Sequence, residues 1–345
     1  MMIIVDIGHP SHVHFFKNFI SEMEKRAHRV FITAAAKDVT IKLLDTYGFD
    51  FMDLSYYGNT LFKKVVKIPI LNFKMYKAVK ELNPDLFIGF GSIRAAHVSW
   101  LIGKPCIIFD DDEYSYPYYH WFVKTVCGFS GFKLLGEKII KVPGFKELAY
   151  LHPHWFTPKQ SIITEERITL LRFVSWTAFH DFGRSGFDLD FKRKLVKELE
   201  KYSKVYISSE SSMPEDLEQY RINIKPDQIH DLLSNVKLLV SDSQTMTTEA
   251  SILGTPAVRC NSFVGEDDMG NFKELEDKYQ LIYNYRNPDQ ALEKAVELVK
   301  KDGLKSEWKK KKQHLLRDKI DVTTFMVWFV ENYPDSFNEM KIIKP

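Results

Sequence analysis

The sequence predicts an α/β protein of two doubly wound domains. Three observations carry this. Short apolar runs alternate with amphipathic segments through both halves of the chain. The runs are apolar at successive positions, as in parallel strands covered on both faces. At 345 residues the chain is too long for one typical core.

In the first half, strands are expected at 3–7, 30–33, 86–89 and 106–109, with helices near 12–26, 39–47, 61–82 and 92–102. In the second half, strands fall at 170–175, 205–208, 238–241 and 257–260. Helices fall near 188–201, 227–235, 245–253, 269–278 and 288–301. Lys225-Pro226 and Asn287-Pro288 read as helix starts, because proline fits the first helical turn. His152-Pro153-His154-Trp155-Phe156-Thr157-Pro158 interrupts both patterns and marks a linker. The expected domains are therefore 1–155 and 156–325, with a tail, 326–345, that packs back on the first. Such sheets bind ligands beyond the carboxyl ends of their strands. The site is then expected in a cleft where the two domains face each other.

Composition narrows the function. A net charge of +2 gives no global case for nucleic acid, so an anionic partner must be met locally. Cys106, Cys127 and Cys260 lie far apart, with neither a disulfide framework nor zinc-ligand spacing. The chain opens directly on an apolar strand without a basic leader, and no apolar run reaches the ~18 residues of a membrane span. A cytoplasmic chain is expected, either soluble or peripheral on the inner face of a membrane.

The most specific segment is 241–256, Ser-Asp-Ser-Gln-Thr-Met-Thr-Thr-Glu-Ala-Ser-Ile-Leu-Gly-Thr-Pro, between two apolar runs. It reads as strand, hydroxyl-rich turn, short helix, glycine stop and strand. Ser241, Ser243, Gln244 and Thr245 would place hydroxyls and amides at a helix N-terminus, where a diphosphate binds without a metal. Glu249, roughly two turns on, is a carboxylate able to accept from both hydroxyls of a ribose. The alternative is an ordinary βαβ unit with a polar turn.

Four further segments lie at strand ends. Gly8-His9-Pro10-Ser11-His12-Val13-His14 turns sharply into a helix. His9 is the candidate general base near neutral pH. His12 and His14 read as helix capping, and their divergence on a helix start argues against a metal centre. Gly91, Ser92 and Arg94 are acceptor- or phosphate-side candidates, or a plain βα turn. Asp110, Asp111, Asp112 and Glu113 repel one another; Asp110 or Asp111 is the second candidate base, one of the four could hold substrate hydroxyls, and a solvated acidic loop is the alternative. Mg²⁺ there is weakly specified. Ser175, Thr177, His180, Gly183 and Arg184 lie in one loop whose composition suits a diphosphate, without P-loop or dinucleotide glycine spacing. Asp181 could instead clamp Arg184.

One surface signal remains. Over 61–80 six lysines alternate with apolar and aromatic residues, and 116–135 is rich in aromatics. Basic and aromatic residues together suit an anionic lipid surface, while Pro69 argues against an unbroken helix. A solvated lysine face is the alternative.

These segments together resemble the GT-B fold of nucleotide-sugar enzymes. Gly8-His9-Pro10, Pro84-Asp85 with Gly89-Phe90-Gly91-Ser92, and Gly103-Lys104-Pro105 resemble the N-terminal half of the peptidoglycan lipid-intermediate GlcNAc transferase. The 241–256 segment is similar to the donor site of that transferase and of non-hydrolysing UDP-GlcNAc 2-epimerases. The resemblance implies phosphate contact at Ser243 and ribose contact at Glu249. Over the whole chain the sequence resembles an uncharacterised domain-of-unknown-function family, number three-fifty-four. It does so through Gly-His-Pro, His180-Asp181 with Gly183, and Gly144-Phe145-Lys146-Glu147-Leu148-Ala149-Tyr150-Leu151. Epimerases of this type carry an acidic residue just after the fourth strand's glycine, where Gly91-Ser92 stands here.

The reading is a metal-independent glycosyltransferase with a UDP- or related sugar donor and no required cofactor. The acceptor is a glycan or lipid-linked molecule; Gly8, Pro10, His12, Gly91, Ser92, Arg94 and Glu113 lie on its side. A 2-epimerase is the runner-up, and a non-catalytic membrane-surface module is the third reading.

Overall fold

The computed structural model describes residues 1–34, 39–54, 61–159, 167–175, 185–266 and 268–342, with the side chains of 61–67 outside that description. The chain forms two units, Met1–Trp155 with Ile320–Pro345, and Phe156–Lys319. Residues 320–325, expected with the second domain, group with the first.

The first unit is built on seven strands: β1 (Met2–Ile7), β2 (Arg29–Ala34), β3 (Phe51–Asp53), β4 (Leu86–Phe90), β5 (Cys106–Asp110), β6 (Thr125–Gly128) and β7 (Ile139–Lys141). All pair in parallel in the order β3-β2-β1-β4-β5-β6-β7. Strand order reverses between β1 and β4, so the crevice for a ligand opens beyond their carboxyl ends. The helix Pro10–Lys25 buries Phe15, Phe16, Phe19 and Met23. Their spacing puts these apolar side chains on one face of the helix. The C-terminal helix Val322–Glu331 joins this unit through Thr323 Oγ1, which donates to the Ala149 carbonyl at 2.7 Å.

The second unit carries β8 (Ile168–Phe173), β9 (Lys204–Ser209), β10 (Leu238–Ser241), β11 (Ala257–Cys260) and β12 (Ile282–Tyr285), parallel in the order β12-β11-β10-β8-β9. Here the reversal lies between β8 and β10. The segment near 269–278 is a single turn of α-helix, Gly270–Lys273, followed by a π-helical turn, Glu274–Lys278.

The helix Leu61–Val79 runs through Pro69, against the expected break. Proline there removes a backbone donor and crowds the preceding turn, at a cost of about 3 kcal/mol. Leu71, Met75 and Val79, spaced by four, are all buried, and burying side chains of this kind contributes about 1.5–3 kcal/mol each. Packing outweighs the local penalty.

Candidate functional site

In the first unit, the turn after β1 is held from beneath by Asp6, a residue the sequence reading passed over. Its carboxylate is 1% exposed. It accepts from Thr33 Oγ1 at 2.8 Å, from Ser92 Oγ, and from Arg94 Nε and Nη2 at 3.3 and 3.2 Å. Ser92 serves twice, since its Oγ also caps the helix Ile93–Ile102 by accepting from the Ala95 amide at 3.1 Å. Arg94 is thus turned onto Asp6 and the Ile7 carbonyl. Gly91 sits at φ +51°, a left-handed conformation that lets the chain turn between β4 and this helix.

His9 is the N-cap of Pro10–Lys25, with proline at the first helical position. Its Nδ1 accepts from the Ser11 amide at 3.2 Å and lies 2.8 Å from Ser11 Oγ. His12 Nδ1 accepts from the Gly8 amide at 3.3 Å. His14 is buried, 3.2 Å from the Tyr47 hydroxyl, and stacks on Tyr150. His9, His12 and Gly8 therefore form one turn, whereas His14 belongs to the packing.

The acidic run at the end of β5 is not a solvated loop at its first two positions. Asp110 and Asp111 are buried. Asp110 Oδ1 accepts from the amides of Asp111 and Asp112 at 3.0 and 3.4 Å, and Oδ2 from the Tyr119 hydroxyl at 2.8 Å. Burial first, then the charges of Asp112 and Asp111, push the Asp110 carboxyl well above its ordinary range. Asp111 pairs with Lys146. Burial pulls the Lys146 ammonium down, but Asp111 and Glu147 overcome it and the net shift is upward. Glu113 accepts from the Lys133 amide. Among the described residues, Asp110, Asp111 and Asp112 are the one group of carboxylates close enough to share a cation, and Lys146 already stands against it.

In the second unit, β10 ends at Ser241, whose Oγ accepts from the Ser243 amide at 2.8 Å. Ser243 is the N-cap of the helix Gln244–Leu253, and its Oγ accepts from the Met246 amide at 3.4 Å. Helix geometry leaves the amides of Gln244 and Thr245 without intrahelical acceptors, and both residues are half-buried rather than sealed. Asp242, 1% exposed, turns inward, where Oδ1 accepts from the Val174 amide at 2.9 Å. Glu249 is also buried, with Oε1 3.0 Å from His230 Nε2. Ser175 donates from N and Oγ to Glu210 at 3.2 and 3.1 Å. Ser185 exchanges hydrogen bonds with Ser262, at 2.9 and 3.0 Å. The chain neighbours of Ser175 and Ser185, Val174 and Gly186, both lie against Asp242. Thr177, His180, Gly183 and Arg184, with the alternative Asp181–Arg184 clamp, lie outside the described residues.

The structure therefore brings together Gly8, His9, His12, Ser92 and Arg94 in one crevice, and Ser241, Ser243, Gln244 and Thr245 in the other. Sequence reasoning missed Asp6, Lys146, Tyr119, His230, Glu210 and Asp242. Lys146 stood in a segment noted without chemistry, and Asp6 was signalled by a charge closing an apolar run.

A separate surface lies on adjoining helices of the first unit. Ile70, Phe73, Trp100, Leu101, Tyr118 and Trp121 are exposed, the last by 77%. Asn72 to His97, at 2.9 Å, and the Trp100–Phe122 ring contact make the helices continuous. Lys74, Lys77 and Lys80 are exposed beside Phe73. No helix among the described residues is long and apolar enough to cross a membrane.

Two parallel sheets, each with its reversal at the nominated turns, define the architecture seen in solved structures. The S. aureus MnaA–UDP complex superposes with a TM-score of 0.70 over 100% of this chain and 98% of that one, at 10% identity. The glycotransferase of kitacinnamycin matches at 0.63, over 96% of this chain and 98% of that one, at 12% identity. The chain has the GT-B fold. Other matching structures include MurG from Acinetobacter baumannii and the UDP-GlcNAc 2-epimerase from Neisseria meningitidis, so the GT-B likeness spans transferases and epimerases. Residues 1–118 match a family described as Protein of unknown function (DUF354). An uncharacterized protein of Methanocaldococcus jannaschii, MJ0665, is 23% identical over 299 residues, 81% of this chain and 86% of that protein.

Proposed function

We propose that this GT-B protein is a glycosyltransferase that takes a sugar from a nucleoside diphosphate, with UDP as the expected carrier, and needs no metal. The observation that carries the reading is the helix start at Ser243: two serine hydroxyls and uncapped first-turn amides follow β10 at the strand-order reversal. Those donors suit a diphosphate and stabilise its charge as it leaves. Glu249 takes the ribose. Ser175, with Thr177, His180, Gly183 and Arg184 of the adjoining loop, completes the donor side.

The acceptor hydroxyl is assigned to the first unit, beside Gly8, Pro10, His12, Gly91, Ser92 and Arg94, with Glu113 at the rim. His9 is the base. Since the Ser11 amide donates to Nδ1, the resting neutral ring carries its proton on Nε2. Base action uses the other tautomer, with Nδ1–H directed at Ser11 Oγ, which puts the lone pair on Nε2. Asp111, beside Lys146, is the second choice. The exposed aromatic face with its lysines supports a lipid-linked or cell-surface glycan acceptor met at the cytoplasmic face of a membrane.

The Asp111–Lys146 pair also supports a second reading, a UDP-N-acetylhexosamine 2-epimerase in which a carboxylate moves the C2 proton. Incubation with UDP-GlcNAc alone separates the two, because an epimerase needs no acceptor.

The deciding experiment is thermal-shift binding of UDP, GDP, CMP, dTDP and their sugars, with and without Mg²⁺, to wild type and Glu249→Ala. A ligand at about a hundredfold its Kd stabilises the fold by roughly 2.7 kcal/mol. Stabilisation of wild type but not of the variant, unaffected by Mg²⁺, is expected. No shift with any nucleotide would sink the donor reading and leave a non-catalytic surface module.

A further inference from the structure

Glu249 does not stand alone. It is the sixth residue of the helix Gln244–Leu253, roughly 7.5 Å from its start. His230 is the second residue of the helix Ile229–Asn235, which precedes β10. In parallel α/β units the helices begin at the end of the sheet where the strands finish. His230 is therefore at the same end as Ser241 and Ser243. Its Nε2 lies 3.0 Å from Glu249 Oε1, and both residues are at least nine-tenths buried. The turn that carries it is anchored, since the neighbouring Asp231 accepts from the Lys159 amide at 2.8 Å and Phe156 meets the His230 ring edge-on at 6.1 Å.

A buried carboxylate needs a donor, and an ionised carboxylate can accept at several lone-pair sites. An imidazole N–H at Oε1 holds the side chain in one rotamer. Recognition of a ribose diol depends on the direction in which the carboxylate accepts, which a flexible glutamate does not define. We propose that His230 is a positioning residue for nucleotide recognition: its Nε2–H holds the Glu249 carboxylate in the orientation that accepts from the ribose hydroxyls. This rests on the nucleotide-sugar reading above. The ring acts here as a donor through Nε2 and performs no proton transfer. A purely structural role, tying two helices, predicts the same hydrogen bond but no effect on ribose selectivity.

Calorimetric titration separates the two. UDP and 2′-deoxy-UDP, with GDP and 2′-deoxy-GDP as a second pair, are titrated into wild type, His230→Leu and His230→Gln. Wild type is expected to prefer the ribonucleotide about tenfold, a difference of about 1.4 kcal/mol. His230→Leu should bring that preference to within about twofold of unity, while affinity for the 2′-deoxy ligand stays within about threefold of wild type. His230→Gln restores a side-chain N–H donor and should recover most of the preference. The inference is overturned if His230→Leu keeps the tenfold preference, or weakens both ligands equally. If His230→Leu does not fold, His230→Gln and His230→Asn decide. Equal preference in these two, despite their different reach, overturns it; retention in glutamine and loss in asparagine supports it. Failure of wild type to bind either nucleotide pair removes the nucleotide reading itself, a result distinct from unchanged selectivity in the variants.

Discussion

Replacing Asp6 by alanine tests whether one carboxylate holds the strand-order reversal of the first sheet. Asp6 receives Thr33, Ser92 and Arg94, and among the described residues it is the one ion-pair partner of the guanidinium, at 3.0 Å. Breaking a buried ion pair costs about 3–5 kcal/mol, because the remaining charge is stranded. The Arg94 side chain keeps 16% of its exposure, so water screens part of that loss and about 2–4 kcal/mol is expected. Asp6→Asn keeps one oxygen for the hydroxyl donors but loses the charge, for about 1.5–3 kcal/mol. Ser92→Ala loses a cap and a donor, for about 1–2 kcal/mol. Urea denaturation gives the totals, and hydrogen exchange at the β1 and β4 amides assigns them to the first unit. A cycle of Asp6→Ala and Arg94→Ala should show coupling of about 1–3 kcal/mol. Additivity within about 0.5 kcal/mol, or a cost below about 1 kcal/mol for Asp6→Ala, would refute the reasoning.

Three other expectations follow from single contacts. Asp110 has its carboxyl pKa raised by burial and by its acidic neighbours, so it binds its proton more tightly folded than unfolded. The stability it contributes is present below about pH 3.9 and is lost as pH rises through the folded value. Asp110→Asn should match or exceed wild-type stability at pH 7–8 and lose that advantage near pH 4. Melting temperatures across that range check it, and an advantage confined to acid would contradict it. At Gly186 a Cβ would lie 2.6 Å from Asp242 Cβ. Gly186→Ala should cost about 1–3 kcal/mol by urea titration and weaken UDP binding; a neutral outcome would show that the stem has room to move. Phe73 and Trp121 are exposed, so Phe73→Ser with Trp121→Ser should leave melting unchanged. It should reduce co-sedimentation with anionic vesicles at least tenfold, given roughly 1.5–3 kcal/mol for each buried side chain; wild-type-like sedimentation would detach this face from lipid binding.

Most of the strands that sequence reveals have a uniform environment, although β2 and β9, also expected, are mixed, while the four-residue β6, buried at every position, is not expected. β1, β4, β5, β8, β10 and β11 lie inside their sheets and are buried nearly throughout, so apolar runs announce them. β3, β7 and β12 are sheet edges of three or four residues, too short for any period to show. The site divides along similar lines. Ser241, Ser243 and Glu249 are legible because strand, turn and helix are local patterns. Their supports are not, because Arg94 meets Asp6 across 88 positions, Lys146 meets Asp111 across 35 and His230 meets Glu249 across 19. Such pairs depend on which strands become neighbours, and packing decides that.

The two sheets share a feature at their acidic strand ends. Asp6, Asp110 and Asp242 lie at or just after the carboxyl ends of β1, β5 and β10, and each is at most 2% exposed. A carboxylate in that place invites a catalytic reading. Here each one accepts instead from the loops it organises: Asp6 from Ser92 and Arg94, Asp110 from two following amides and Tyr119, Asp242 from Val174. An exposed carboxylate at the start of Gln244–Leu253 would repel a diphosphate. With Asp242 turned inward, the groups left at that helix start are hydroxyls and amides, which donate. The same inward turn thus braces the loop and clears negative charge from the place where the proposed donor's phosphates would sit.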